Sequence, residues 1–240
     1  QVNHTERRAA GHWTLRAAHR LHQYPDYVAL NHQGQDAIQL AADVETAVEI
    51  FVNDVREGRY LTPAGVQYDS ILHLGIGGSD LGPRLLHEVF YKLGLQKQSP
   101  IKQIRFVSNV DYHELSTALS ELNPASTLVV AASKSFSTRE TLNNLNHIFK
   151  WLDSVGPEHR AHSVVACTCK PEKARQLGTH EHLIFEFSET VGGRYSLWGP
   201  VSLAIRLMHG NASFRQLLDG AAAMDCHMLQ ADFEQNIPAQ

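Results

Sequence analysis

The chain has 240 residues, enough for one large or two small domains with a sizeable core. With 43% hydrophobic residues and a formal net charge of -4 it reads as a folded globular protein, not a disordered one. Its Lys and Arg are scattered, which argues against a nucleic-acid or anionic-membrane surface, whereas a small anion needs only a few well-placed donors.

The first sixty residues read as helical. "HTERRAAGHWTLRAAHRL" (residues 4–21) is a weak helix interrupted by Gly11. A stronger one covers "DAIQLAADVETAVEIFVNDVREG", where Ala41, Val44, Val48, Phe51 and Val55 recur at helical spacing and Gly58 is the stop. Residues 1–58 are therefore expected to form a helical segment ahead of an α/β domain over 59–240. In that second part, short apolar runs alternate with amphipathic ones: "SILHLGIG", "IRFVSNV", "TLVVAAS", "HSVVACTC" and "HLIFEF". Each has strand length and the Val/Ile/Leu content of strands buried on both faces. Between them lie helical patterns such as Leu142, Leu145, Phe149 and Leu152. The alternation predicts a parallel sheet of five strands covered by helices on both sides, with helix again from Pro200 to the end.

The three cysteines, Cys167, Cys169 and Cys226, are too few and too odd in number for a disulfide framework, so a reducing compartment is expected. Cys167 and Cys169 share one face of the fourth strand. "HEH" at 180–182 brings two of the fifteen histidines within two positions, but nothing completes a metal site, and none is expected. No apolar run reaches the roughly twenty residues of a membrane span, and the start does not resemble a signal peptide. The chain opens on Gln1 and stops at "NIPAQ", so it reads as a piece of something longer.

In a parallel sheet all strand C-termini lie on one edge, where ligands bind. Three of the five exits carry unusual chemistry. At "LGIGGSDLGPRLL", Gly75, Gly77 and Gly78 allow a sharp turn and close approach of the backbone to a ligand, and Ser79 or Asp80 can cap the following helix. A dinucleotide fingerprint would need glycine where Asp80 stands. At "SKSFSTRET", Ser133, Lys134, Ser135, Ser137 and Thr138 stand where a strand passes into a helix N-terminus. Free N–H groups, a helix dipole, a full positive charge and several hydroxyls together suit a phosphate monoester. Ser137 with Glu140 also spells a capping box, which accounts for those residues structurally but leaves Lys134, Ser133 and Ser135 unexplained. At "FEFSETVGGRYSLWGP", Gly192 and Gly193 would let Arg194 project over the same edge as Lys134.

Together, "LGIGGSDLGP", "SKSFSTRET" and "GGRYSLWGPVSLAI", with "VNHTERRAA" near the start, resemble the successive signatures of the glucose-6-phosphate isomerase (phosphoglucose isomerase) family. The resemblance runs from about Val2 to the last residue, and "GGRYSLW" is its most specific element. It implies that residues 59–240 are the first sugar-isomerase (SIS) domain, a flavodoxin-like α/β three-layer sandwich, with the second such domain outside this chain. It further implies cytoplasmic, usually homodimeric enzymes of glycolysis and gluconeogenesis that interconvert glucose 6-phosphate and fructose 6-phosphate without metal or nucleotide cofactor. Substrate contacts carry over onto Gly78, Ser79, Ser133, Lys134, Ser135 and Thr138, and the arginine of the transition state onto Arg194.

There are departures from the family pattern. Ser135 and Ser137 stand for threonines, Arg139 for a glutamine, and "GPVSLAI" follows Trp198 where smaller residues are usual at its first positions. Isomerisation through an enediolate needs a base. The family's glutamate, and its ring-opening histidine and lysine, would follow residue 240, which leaves Glu140 and Glu189 as the tempting local substitutes. Two other classes compete: a non-catalytic sugar-phosphate-binding SIS module, and a nucleotide-dependent oxidoreductase.

Overall fold

The computed structural model describes residues 2–3, 8–19, 36–96, 99–156 and 158–240. At the start, β1 (Val2–Asn3) pairs antiparallel with β2 (Arg8–Ala9), and α1 runs over Trp13–His19. The helix expected over 4–21 is thus realised only in its second half. Residues 4–7 and 20–21 lie outside the described residues. The chain turns at Gly11 because its N–H is spent on the Thr190 carbonyl (2.9 Å), while the Thr14 hydroxyl bonds back to the Gly11 carbonyl at 2.8 Å.

The second helix forms as its periodicity predicts: α2 spans Ala37–Arg56. The Asp36 carboxylate accepts from the N–H groups of Ile38 (2.9 Å) and Gln39 (3.3 Å), satisfying donors that a helix N-terminus otherwise leaves open. Beyond it come β3 (Ser70–Gly75), α3 (Gly78–Lys92), β4 (Gln103–Val107), α4 (Tyr112–Ser120), β5 (Thr127–Ala132) and α5 (Arg139–Asp153). Then follow α6 (His159–Ser163), β6 (Val164–Thr168), α7 (Pro171–Gln176) and β7 (Ile184–Glu186). After 3-10 turns at Gly193–Trp198 and Pro200–Ser202, α8 (Leu203–His209) and α9 (Asn211–Gln230) complete the helices.

The five longer strands form one sheet in the order β4-β3-β5-β6-β7, parallel throughout. This is the flavodoxin-like order. Every residue of β3, β5 and β6 is buried, as continuous apolar strands covered on both faces should be. Alternate residues point to opposite sides, so the sheet divides two cores. Ile71, Leu128, Val130 and Val165 pack with Val48, Phe51, Val52 and Val55 of α2 and with residues of α3, α8 and α9. Leu72, Leu74, Val129 and Ala131 pack with Leu115 of α4 and with Leu145, Ile148 and Leu152 of α5. Burial of each Val, Leu, Ile or Phe side chain here stabilises the fold by about 1.5–3 kcal/mol.

The strand order reverses around β3. The chain leaves it on one side to make β4 and returns on the other as β5. Helices that follow β3 and β5 therefore diverge, leaving a crevice beyond the C-terminal ends of these two strands.

Candidate functional site

That crevice is a cavity of about 450 Å³. Ile76, Gly78 and Ser79 line it from the β3 exit, and Ser133, Lys134, Ser135, Thr138 and Thr141 from the β5 exit. Cys169 and Lys170 beyond β6, and Glu189 and Gly193 beyond β7, complete the wall. All the residues expected to contact substrate (Gly78, Ser79, Ser133, Lys134, Ser135 and Thr138) are brought together here. Arg194 follows the lining Gly193, but its exposed guanidinium rests over the Tyr195 ring, 5.2 Å from the centroid.

The first loop differs from expectation in its cap. Gly77, at φ +57°, is the N-cap of α3 and no side chain caps the helix. Ser79 and Asp80 lie inside the first turn, their N–H groups bonded to the carbonyls of Ile76 and Gly77 at 3.1 Å each. The Asp80 carboxylate is buried and paired with Arg84 at 2.9 Å. The turn is tight enough to close on its own backbone, so the helix begins before either side chain can serve as cap.

The second loop is strained and braced. Phe136 has φ +44°, the left-handed region, while its ring is buried among the α5-side core. A bulky residue there costs about 1–3 kcal/mol, so surrounding contacts must hold it. They do: the Phe136 N–H donates to the Ser133 hydroxyl (3.2 Å), the Lys134 carbonyl accepts from the Cys169 N–H (3.1 Å), and the Ser135 carbonyl accepts from Lys173 Nζ (3.1 Å). The capping box expected of Ser137 and Glu140 is not formed. The Phe136 turn moves the helix start on by one residue, Thr138 becomes the N-cap of α5, and no side chain caps it. Its first-turn N–H groups are thereby left facing the cavity end of the helix without a side-chain acceptor.

Lys134 joins the second loop to the third. Its Nζ donates to the carbonyls of Glu189 and Val191, both at 2.7 Å. The charge therefore has a fixed position at the cavity wall. Gly78 joins the first loop to the third: a Cβ there would lie 2.5 Å from the Arg194 nitrogen and closer still to the Gly193 carbonyl. Three loops expected to converge do so, and by direct contact.

Sequence reasoning missed the fourth exit. Lys170, directly beyond β6, forms an ion pair with Glu189 on the cavity wall, and that hydrogen bond raises its pKa above the usual lysine value. The signal was present, since every exit of a parallel sheet opens on the same edge and "CTCKP" places a lysine there. The Lys170–Glu189 pair also borders a second cavity of about 460 Å³, lined by Glu45, Glu172, Glu186 and Trp198. Burial pushes the Cys169 thiol up to about 12, so it stays protonated and behaves as an apolar wall residue. Glu140, the other suggested base, is exposed and does not line the cavity. Cys167 is buried in the same core as Cys169, and His180 and His182 stack at 5.6 Å. Among the described residues no group of His, Cys, Asp and Glu is placed to hold a metal ion, and no helix is long and apolar enough to cross a membrane.

Fold and cavity define a doubly wound α/β protein whose switch-point crevice is furnished with hydroxyls and ammonium groups. The chain belongs to the phosphoglucose isomerase family, whose family model matches residues 1–240. It is 41% identical over 240 residues to the glucose-6-phosphate isomerase of Bordetella petrii, covering 100% of this chain and 41% of that one. A glucose-6-phosphate isomerase of Helicobacter pylori (strain HPAG1) is 38% identical over 240 residues, 99% of this chain and 42% of its own. The chain thus spans about two fifths of the length of these relatives. The fold is shared with a crystal structure of a glucose-6-phosphate isomerase from Chlamydia trachomatis, at TM-score 0.72 and 24% identity over 95% of this chain and 40% of that one. A hypothetical protein from Thermus thermophilus aligns at TM-score 0.65 and 27% identity, over 94% of this chain and 50% of that one.

Proposed function

We propose that this chain supplies the phosphate-binding wall and the arginine of a glucose-6-phosphate isomerase, which interconverts glucose 6-phosphate and fructose 6-phosphate through an enediolate. The observation that carries this reading is the convergence of Gly78, Ser79, Ser133, Lys134, Ser135 and Thr138 on one cavity at the switch point. A phosphate monoester has close to two negative charges and several acceptor oxygens. Four hydroxyls, the uncapped N-terminus of α5 and the Lys134 ammonium are donors of the matching kind.

Isomerisation moves a proton between C2 and C1, with negative charge developing on oxygen as the enediolate forms. Arg194, next in sequence to the lining Gly193, is the group we assign to stabilise that charge. Its exposed guanidinium rests over the Tyr195 ring, a contact worth about 0.5–1 kcal/mol at an exposed site. The proton-transfer base is a different matter. Glu189 reaches the cavity, but its carboxylate is already engaged in an ion pair with Lys170. On the family reading the base belongs to the part of the relatives that this chain does not match. So do the ring-opening residues and the second SIS domain, which on this reading faces the domain at 59–240. The same reading makes the whole enzyme a cytoplasmic homodimer that works without metal or nucleotide.

The test is a coupled assay with fructose 6-phosphate, on this chain freed of host isomerase, beside calorimetric titration of the same ligand. We expect measurable binding and essentially no turnover, because loss of an acid–base group typically costs on the order of 10²–10⁴ in rate. Ordinary enzymatic turnover would place the base within these residues. Absence of any preference for phosphorylated over free sugar would defeat the assignment of the cavity.

A further inference from the structure

The first turn of α3 has a built-in defect. In a regular helix the Ser79 carbonyl would accept from the N–H of residue 83, and residue 83 is proline. Proline has no N–H, and its ring crowds the carbonyl four residues back. That carbonyl is held from outside the helix, by Nε2 of His73 on β3, at 2.7 Å.

His73 is fully buried in the middle of a sheet strand, between Phe106 of β4 and Val130 of β5 in register. Its other nitrogen, Nδ1, is buried with no hydrogen-bond partner among the described residues. A carbonyl can only accept, so Nε2 carries the proton, and a neutral ring then leaves Nδ1 without a partner, with the Asp80–Arg84 ion pair near enough to act on the ring. The cation would bury an N–H without an acceptor. Burial lowers the His73 pKa accordingly. Gly75 keeps the path open: a Cβ there would stand 2.5 Å from the Ser79 carbonyl oxygen and 3.1 Å from His73 Nε2.

We infer that His73 is a positioning residue for the cavity, supplying to Ser79 the hydrogen bond that Pro83 cannot and so fixing the turn that presents the Ser79 hydroxyl. This rests on the assignment of the cavity as a phosphate site for its functional consequence, but not for the bond itself. Pro83 and His73 are thus complementary: either a backbone N–H at 83 or a side-chain donor at 73 can hold the Ser79 carbonyl.

The test uses His73→Leu, His73→Gln and Pro83→Ala, singly and combined, in this chain. Nitrogen-15 NMR of the imidazole is expected to show a neutral ring protonated at Nε2. A ring protonated at Nδ1 would overturn the inference, whether or not the chain binds any sugar phosphate. Calorimetry with fructose 6-phosphate is expected to show His73→Leu weakening binding by about fivefold or more, the net worth of one hydrogen bond. His73→Gln, whose amide still donates, should recover most of it, and so should Pro83→Ala placed on His73→Leu. If His73→Leu does not fold, the comparison is made in the Pro83→Ala background, where a folded double variant with intact binding is the expected result. Should wild type bind no fructose 6-phosphate, the proposed function fails, and thermal unfolding replaces binding as the readout. Coupling between positions 73 and 83 in the melts then supports the positioning role, while strictly additive losses overturn it.

Discussion

The Gly193 backbone lies directly on Gly78, so close that no side chain fits between the first turn of α3 and the loop beyond β7. Two segments distant in sequence are in contact through a pair of residues that lack side chains, and both line the same cavity.

Gly78→Ala should therefore push the third loop off the first. Overpacking at a well-fitted contact typically costs about 1–3 kcal/mol, here opposed by backbone on both sides. We expect a lower melting temperature together with weaker fructose 6-phosphate binding, read by calorimetry. A variant with native affinity would mean that the contact does not shape the cavity.

Lys134→Met keeps most of the side-chain volume and removes the charge and its bonds to the Glu189 and Val191 carbonyls. We expect a loss of stability of about 1–3 kcal/mol in denaturant titration, the range for a charge-assisted bond that is only half buried. Affinity for the phosphorylated sugar should fall by about tenfold or more, and for free sugar hardly at all. Equal losses for both ligands would assign Lys134 to bracing alone.

Arg194→Lys in a catalytically complete isomerase keeps the charge but loses the planar fork. Turnover should fall by about tenfold or more while substrate binding changes less, which steady-state kcat and KM will separate. Raised KM with unchanged kcat would make Arg194 a ground-state binder.

Acid should weaken the fold before the carboxylates titrate. His209 is buried against His87, and its pKa is lowered to about 4 by burial first, then by the neighbouring His87 and Arg56 charges; His73 and His87 are lowered too. An unfolded chain takes up protons at these histidines below about pH 6.5, where the native state does not. Stability contributed by the neutral rings is thus complete above that pH and lost as pH falls from about 6.5 towards 4. His209→Gln should flatten that slope by roughly 1 kcal/mol per pH unit between pH 6 and 5, measured by thermal melts. An unchanged slope would show that His209 titrates normally.

The sheet was legible because strands buried on both faces leave continuous apolar runs; four of the five begin and end within two residues of those runs, and β4 stops at Val107, three residues short of the end of its own. The cavity was legible because a parallel sheet sends every exit to one edge. Cap positions were not. Ser137 carries the right chemistry, but the left-handed turn at Phe136 decides where α5 starts, and that turn is forced by a ring buried in the tertiary core. Nor could local sequence give the partners of Lys134, which are carbonyls beyond another strand. The weak first helix failed for the same reason, since the Gly11 N–H is claimed by Thr190.

Lys134 reaching to Val191, and Gly78 lying under Gly193, also close long loops of the chain. Closing such loops costs chain entropy that these contacts must offset, as do the equally distant pairings of the sheet. A chain ending before residue 189 would lack the carbonyls that brace Lys134, and also α8 and α9, which cover one face of the sheet. A ligand held by all three loops would stabilise only the state in which they are joined, by mass action, and so oppose their separation.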